Sequence, residues 1–300
     1  MHQPTALPSS GVIRLDAATV LLQWAVGGML FCWFTTRRRE VGLGYGWLLR
    51  GVYGLLAVGA AFVGLRYGSV PVREMSSIGV AVACGAALTV SVVRKDAGVR
   101  GQHAEHDRRS ARVAAMTGID RTVEPPAAPR GPEFPPVLDL VPVGIGVIGL
   151  LAAALDAAPS GGGVAVLSVL RTLVGAAFLG VVTDAMLLGH WYLVQPGLPR
   201  RLLNEIVTAL GWIWPLEVVL LLVPTGMMSV LTGSVDDGWG GTLGWFWVAC
   251  AVTTIVLVFV TKAALREREY SAVMAATGLL YLAILTAFGT DLVARAVLAA

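Results

Sequence analysis

The chain has 300 residues, of which 56% are hydrophobic and 14% are charged, with a mean hydropathy of +0.75 and a formal net charge of +3. Soluble domains carry about 25% charged residues, so this composition supplies too few polar side chains to cover a water-exposed surface. It excludes a soluble protein and indicates an integral membrane protein. The cysteines Cys32, Cys84 and Cys250 lie far apart in apolar runs, which excludes a cysteine zinc site or an iron–sulfur cluster.

Eight segments are long and apolar enough to cross a bilayer. A transmembrane helix needs about 20 mostly apolar residues, because every backbone amide in hydrocarbon must bond within its own segment. The predicted spans are 17–36, 44–65, 76–93, 136–155, 163–194, 202–223, 242–261 and 271–293. The sequence therefore predicts an all-α, polytopic helical bundle with about eight transmembrane helices in the cell membrane.

Basic residues orient these spans, because cytoplasmic loops retain lysine and arginine. When the eight spans alternate in direction, sixteen of the 22 basic residues fall on one side. Four fall on the other side, namely Arg14, Arg66, Arg73 and Arg295, and Arg50 and Arg171 lie within spans. The side with sixteen is expected to be cytoplasmic, with both termini outside. Because these arginines account for the positive charge, no nucleic-acid partner is predicted.

The chain divides around one long cytoplasmic loop. A membrane part with three spans (1–93) precedes the basic and proline-rich loop 94–135, and a part with five spans (136–300) follows it. The proline-rich segment after Glu124 cannot be helical, since proline removes backbone donors repeatedly. An alternative grouping gives two four-helix halves that both begin outside, which is the pattern of a parallel repeat.

The fifth span carries the most polar candidates. At 1.5 Å per residue from the cytoplasmic end near Val194, His190 lies about 6 Å in and Asp184 about 15 Å in, near the bilayer midplane. Ionisable groups at such depth are costly and usually face the protein interior. The two residues occupy different helical stripes, about 120° apart, so no direct contact between them is expected.

The residues His190, Asp184, Trp191 and Tyr192 form the candidate quinone or proton site. A quinone needs a hydrogen-bond donor, a group that exchanges protons and flat apolar walls, and these side chains supply all three. The alternatives are a structural carboxyl for Asp184 and an interfacial aromatic belt for His190. Since one histidine lies within a span, a bis-histidine haem is excluded, while a single haem b with a methionine ligand stays a weaker alternative to quinone.

Five further polar residues are expected within or near the spans. Glu217, about 25 Å from the cytoplasmic end and close to Pro215, is expected to share an outer polar layer with Arg171 or Asp291. Arg50 and Asp139 lie near cytoplasmic helix ends and are expected to snorkel or to pair with each other. The fifth of these residues is Glu205.

Glu205 is expected in the first turn of the sixth span, four residues after Arg201, so the helix dipole and local helical pairing are expected to explain it. In the outer loop 225–242, Asp236 and Asp237 are expected to be solvated, since two adjacent carboxylates in a flexible loop make a poor cation cage. No metal site is predicted from the sequence.

Three functions compete. The leading expectation is a membrane anchor or quinone-interacting subunit of a respiratory-type electron-transfer complex, with the lipid bilayer and partner subunits as its partners. The first alternative is a proton- or cation-coupled secondary transporter with Asp184 as the coupling site. The second is a non-catalytic assembly or scaffold protein. The sequence holds no nucleophile elbow, phosphate-binding glycine loop or H-E-x-x-H helix, which disfavours hydrolase, nucleotide-driven and zinc-protease chemistry.

Overall fold

A computed structural model describes residues 16–99, 115, 131–158, 161–267 and 269–299. Within these residues, eight helices are long and apolar enough to cross a membrane, which confirms the predicted number of spans. They are α1 (Ala17–Thr36), α2 (Leu43–Tyr67), α3 (Pro71–Val93), α4 (Leu140–Asp156), α5 (Gly162–Val194), α6 (Arg201–Leu222), α7 (Thr242–Ala264) and α8 (Tyr270–Ala299). Most of the loop 94–135 lies outside the described residues.

Three shorter elements connect the spanning helices. A 3₁₀ turn, Lys95–Ala97, follows α3, and a second, Pro136–Asp139, leads into α4. The loop between α6 and α7 contains the short helix Met227–Leu231. The protein is thus an all-helical, multi-pass membrane protein. The end at which α1, α3, α5 and α7 begin is called the outer end, and the opposite end is called the cytoplasmic end, both after the orientation that the basic residues predict.

Several helices extend beyond the predicted hydrocarbon segments. The helix α3 begins at Pro71, so Arg73 lies in its first turn and not in a loop, and α8 continues past Arg295. Arg66 likewise lies inside α2. The extension is stable because helical backbone bonding continues into the interface, where charged side chains find partners or water. Apolar run length therefore underestimates these helices.

The spanning helices pack as two groups of four. The first half consists of α1 to α4 and the second of α5 to α8, and in each half the helices contact their chain neighbours around a ring. The principal contact between the halves is made by α1 and α5, the first helix of each. The packing thus follows the four-plus-four grouping, although the long loop interrupts the chain after three spans.

Glycines set the distance between α1 and α5. A Cβ atom on Gly27 would lie 1.7 Å from the carbonyl oxygen of Ala176, and one on Gly180 would lie 2.1 Å from the carbonyl carbon of Gly27. The two backbones are therefore in direct contact, as in other membrane helix pairs packed through small residues. No larger residue fits at either position without moving the helices apart.

The outer loop between α6 and α7 is more ordered around Asp237 than expected. The Asp237 carboxylate accepts hydrogen bonds from the backbone N–H groups of Trp239, Gly241 and Leu243 at 2.8 to 2.9 Å, and from Gly244 at 3.3 Å. Asp237 is 7% exposed, so the expectation of a solvated carboxylate is wrong for this residue. Its side chain binds the unpaired amides at the start of α7.

Candidate functional site

Asp184 is the polar centre of the bundle. It is fully buried on α5, and its Oδ1 atom accepts a hydrogen bond from the hydroxyl of Tyr53 on α2. Its Oδ2 atom has no hydrogen-bond partner among the described residues. The bond links a helix of the first half to a helix of the second half, close to the glycine contact between α1 and α5.

The sequence of α1 makes this bond possible. Tyr53 must reach across α1 to meet α5, and it does so at Gly28, where an added Cβ would lie 2.0 Å from the tyrosine ring. Adjacent glycines therefore have separate roles: Gly27 lets α5 approach, and Gly28 leaves room for the ring. The position of the Asp184 carboxyl depends on three helices at once.

A second buried tyrosine, Tyr45, lies on the same helix as Tyr53. Tyr45 on α2 is fully buried, its hydroxyl has no hydrogen-bond partner among the described residues, and it lies within electrostatic range of Asp184. Its ring is tilted against Trp191, with centroids 5.8 Å apart. The described hydrogen bond to Asp184 comes from Tyr53, and a carboxyl beside such a hydroxyl can accept and release a proton.

The four residues predicted to form one site face three different surroundings. Asp184 lies in the interior with Tyr53, whereas His190 is exposed on the outside of the bundle, with its Nδ1 atom 3.1 Å from the hydroxyl of Tyr281 on α8. Tyr192 is buried and donates to the carbonyl of Pro199 at 2.7 Å. Asp184 and His190 thus have separate partners, in agreement with their different helical stripes.

Arg50 and Asp139 pair as predicted. The Arg50 guanidinium donates from Nε and Nη2 to the two Asp139 oxygens at 2.7 and 2.8 Å. The guanidinium also lies 4.1 Å from the centroid of the Phe134 ring. Both charged groups are almost completely buried, so the bidentate bond compensates charges that would otherwise be left in a poorly hydrated interior.

The outer polar layer of the second half contains Glu217, Asp291, Arg295 and Arg171, which confirms the expected grouping. Arg171 donates to the carbonyls of Leu220 at 2.8 Å and Val223 at 2.7 Å. It thereby satisfies backbone acceptors at the end of α6, where a cation is also favoured by the helix dipole. Its role in this layer is structural.

The expectation that Glu205 pairs locally with Arg201 is wrong. Glu205 pairs with Arg38 at 2.8 Å and Arg37 at 3.6 Å, at the end of α1, and Arg201 instead pairs with Glu40 in the loop after α1. A local spacing of four residues suggested a partner on the same helix. Arg37 and Arg38, which follow α1, approach the start of α6 and pair with Glu205 in place of Arg201.

These pairs belong to a cytoplasmic cluster that joins the halves, made of Arg37, Arg38, Glu40, Gln195, Arg201 and Glu205. In addition to the ion pairs, the Gln195 amide donates to the carbonyl of Glu40 at 3.1 Å and accepts from the Gly42 N–H at 2.9 Å. The charged side chains are partly exposed, so each pair stabilises the protein by about 1 kcal/mol at most. The cluster therefore joins the halves through contacts that are individually weak.

At the outer end a cavity of about 680 Å³ lies between the halves, which are also joined there by a hydrogen bond from the Ser168 hydroxyl on α5 to the Ala154 carbonyl on α4 at 2.8 Å. Helices of both halves line it, with Asp16, Arg73, Ser168, Thr172 and Arg295 among its polar residues. Its volume is in the range of small-molecule sites. By contrast, the pocket beside Arg50 at the cytoplasmic end holds only about 40 Å³.

Arg73 is held tightly at the wall of this outer cavity. It is 2% exposed, and its guanidinium binds Asp16, Glu74 and the hydroxyl of Thr19. The cavity therefore presents a guanidinium, carboxylates and hydroxyls together. Apolar side chains such as Val63 and Ala153 line the cavity beside these polar groups, so it suits a small molecule that carries both polar and apolar parts.

Several residues of these sites carry no signal that sequence inspection could detect. Tyr53 and Tyr45 look like ordinary aromatic residues of an apolar span, and Arg73 appears to lie in a loop. The adjacent glycines Gly27 and Gly28 are the one visible mark, since paired glycines within a span indicate close helix contact. Which helix packs against these glycines depends on how all eight helices pack, and the sequence does not show it.

Among the residues that the structure describes, no three His, Cys, Asp or Glu side chains are grouped so as to hold a metal ion. No family model, curated protein or solved structure matches the chain.

Proposed function

We propose that the protein is a secondary transporter that couples a proton or cation at Asp184 to the movement of a small polar solute. The observation that carries the proposal is the asymmetry between the two ends of the bundle. A cavity of about 680 Å³ lies between the halves at the outer end, beside the hydrogen bond from Ser168 to Ala154, whereas the cytoplasmic cluster of ion pairs closes the other end. Alternating access requires such an outward-facing state.

The contacts between the halves support this mechanism. The glycine contact of α1 with α5 lies between the cavity and the cytoplasmic cluster, where a pivot between two rocking bodies is needed. The ion pairs at the cytoplasmic end are partly exposed and individually weak, so they can break when the outer end closes. Asp184 and Tyr53 span the two halves, so protonation of the carboxyl acts directly on their interface.

Proteoliposomes containing a pH-sensitive dye test the proposal. Amino acids, sugars, small organic acids and small cations are added outside in turn, and the internal pH is followed. We expect one class of solute to drive proton movement, and Asp184→Asn to abolish it. His190→Gln is the matched control, since His190 faces away from the cavity and the coupling site. Solute-driven proton movement that survives in Asp184→Asn contradicts the proposal.

The pair formed by His190 and Tyr281 favours a second candidate function, that of a quinone-interacting subunit of an electron-transfer complex. His190 is exposed on the outside of the bundle near its cytoplasmic end, and Tyr281 beside it is 43% exposed. Both can donate to a quinone carbonyl that arrives from the lipid. Here the quinone is the substrate, and the two side chains would bind and orient it.

Purification in mild detergent separates the candidates. A redox subunit is expected to retain extractable quinone, partner subunits or a visible absorption band, and His190→Gln should reduce quinone retention whereas Asp184→Asn should not. The transporter is expected to purify without these components and to lose coupling in Asp184→Asn. If the stable protein neither binds quinone nor couples proton movement to a solute, the anchor or scaffold function is the one that is left.

A further inference from the structure

Glu217 on α6 is a buried carboxyl group without a hydrogen-bond donor. It is 1% exposed, and neither of its oxygens has a hydrogen-bond partner among the described residues. An ionised carboxylate in such a place is strongly disfavoured unless it is paired and accepts hydrogen bonds. The protonation state of Glu217 therefore depends on what the neighbouring charged groups can offer.

The two nearby guanidinium groups are already bound to other acceptors. Arg171 donates to backbone carbonyls at the end of α6, at Leu220, Val223 and Thr225. Arg295 donates from Nε and Nη2 to both oxygens of Asp291, at 2.8 and 2.9 Å. Both cations interact with Glu217 through space, but their described hydrogen bonds go elsewhere.

Glu217 interacts with Asp291 on α8, a second fully buried carboxyl group. Two ionised carboxylates at close range repel each other, and such pairs commonly share one proton. Among the charged residues of α5, Arg171 is the one that interacts with Glu217. On α7, which also packs against α6, the charged residue is Lys262, at the opposite end of the helix.

We propose that Glu217 is protonated and donates its proton to Asp291, so that the two carboxyl groups form a proton-binding site in the second half. Each charged side chain of this region then has a partner that compensates its charge. The carbonyl ends of α6 compensate Arg171, Asp291 pairs with Arg295, and Glu217 is neutral. The protonated carboxyl donates to an acceptor, and the repulsion between two carboxylates is removed.

The site lies beside the outer cavity. Arg295 lines that cavity and binds Asp291, so the pair is one residue away from the cavity wall. The site is therefore adjacent to the cavity at the outer end. Its use as a coupling site rests on the transport function proposed above, whereas the protonation of Glu217 follows from the local geometry and is independent of it.

Infrared spectroscopy and thermal unfolding in detergent at neutral pH test the proposal on the full-length protein. Glu217→Gln retains the size and a donor of the protonated acid. We expect it to remove one protonated-carboxyl band from the wild-type spectrum and to leave the unfolding temperature unchanged or higher. Asp291→Asn is expected to lower that temperature, because Arg295 then loses its buried partner.

Glu205→Gln is the matched control, since Glu205 is partly exposed and ion-paired, and it is expected to remove no protonated-carboxyl band. An unchanged band in folded Glu217→Gln, or a Glu217→Gln protein that unfolds at a lower temperature or fails to fold, overturns the proposal and indicates an ionised Glu217 stabilised by water or a cation. Both readouts are independent of transport. Absence of solute-driven proton movement in proteoliposomes therefore contradicts the proposed function and leaves this inference intact.

Discussion

The hydroxyl of Tyr53 on α2 donates a hydrogen bond to Asp184 on α5, and the tyrosine ring crosses α1 at Gly28 to reach it. One polar contact thus fixes three helices and both halves of the bundle. Because Tyr53 is the described donor to this carboxyl, replacing either residue changes the same bond. The two replacements differ in whether they remove the proton-exchanging group.

Asp184→Asn and Tyr53→Phe are expected to separate the chemistry of this site from its contribution to stability. Each should change the free energy of unfolding in detergent by less than about 1 to 2 kcal/mol, the scale of one hydrogen bond between membrane helices. Asp184→Asn should abolish proton coupling because an amide cannot exchange the proton, while Tyr53→Phe should retain part of it. Unfolding curves and the proteoliposome assay measure the two effects.

A reversed order contradicts the functional role of Asp184. If Asp184→Asn keeps full coupling, or if Asp184→Asn and Asp184→Leu lose activity only in proportion to their loss of folded protein, the carboxyl is a packing element. Combining Asp184→Asn with His190→Gln in a stable protein gives the strictest form of the test. Full activity in that double variant eliminates both residues as functional groups.

Gly28→Ala is expected to destabilise the protein by about 1 to 3 kcal/mol, the usual cost of inserting an atom into a packed core. The added Cβ would overlap the Tyr53 ring, which then cannot keep its bond to Asp184. The matched control is Gly51→Ala on α2, where no atom lies within 4 Å of the added Cβ. Detergent unfolding should show the control to be neutral or stabilising, since alanine is the better helix former.

Asp139→Asn is expected to cost about 3 to 5 kcal/mol, because it leaves the Arg50 guanidinium buried without its anionic partner. Unfolding in detergent measures this loss, and a double variant Arg50→Met with Asp139→Leu should recover much of it. Arg38→Gln, which breaks a partly exposed pair with Glu205, serves as the control and should cost about 1 kcal/mol or less. Equal losses for the two single variants argue against a poorly hydrated Arg50 site.

Depth in the membrane is readable from this sequence, whereas the direction in which a residue faces its neighbours is not. A helix rises by a constant amount per residue, so counting from helix ends places residues at a common level. This is why the pairing of Arg50 with Asp139, and the layer containing Glu217 and Arg171, could be predicted. The eight spans follow for a similar reason, because hydrocarbon demands long apolar runs.

The partners across helices could not be predicted in this way. Which helix lies against α1, and which way its side chains point, depends on packing among all eight helices. The sequence around Tyr53 therefore does not indicate its bond to Asp184. The spacing of Glu205 from Arg201 predicts a pair on one helix, although the partners Arg37 and Arg38 follow α1. The outer cavity is likewise a property of the assembled halves and of no single segment.

The predicted orientation can be tested with two matched serine to cysteine variants in a cysteine-free background. Ser69 lies in the exposed loop after α2, at the mouth of the outer cavity, and Ser271 is exposed at the start of α8. A membrane-impermeant thiol reagent added to intact cells should label Ser69→Cys and leave Ser271→Cys unlabelled until the cells are lysed. The opposite pattern reverses the orientation and turns the cavity toward the cytoplasm.

Acidification is expected to loosen the start of α7 through Asp237. Hydrogen bonds from the backbone N–H of Gly241, and then of Trp239, Gly244 and Leu243, lower the pKa of this carboxyl below its ordinary value of 3.8. A lowered pKa in the folded state means that the carboxylate stabilises the fold fully at pH values above 3.8. That contribution is lost as the pH falls through the folded pKa.

Hydrogen exchange of the amides from Trp239 to Gly244 measures this effect. In the wild type, protection should hold at neutral pH and decline once the solution becomes acidic enough to protonate Asp237. Asp237→Asn should show less protection at neutral pH and little further decline, because the amide side chain cannot accept all four bonds. Asp236→Asn is the control, since the described hydrogen bond to that exposed carboxylate comes from Gly238, and its profile should follow the wild type. An acid-induced loss of protection that persists in Asp237→Asn places the titrating group elsewhere.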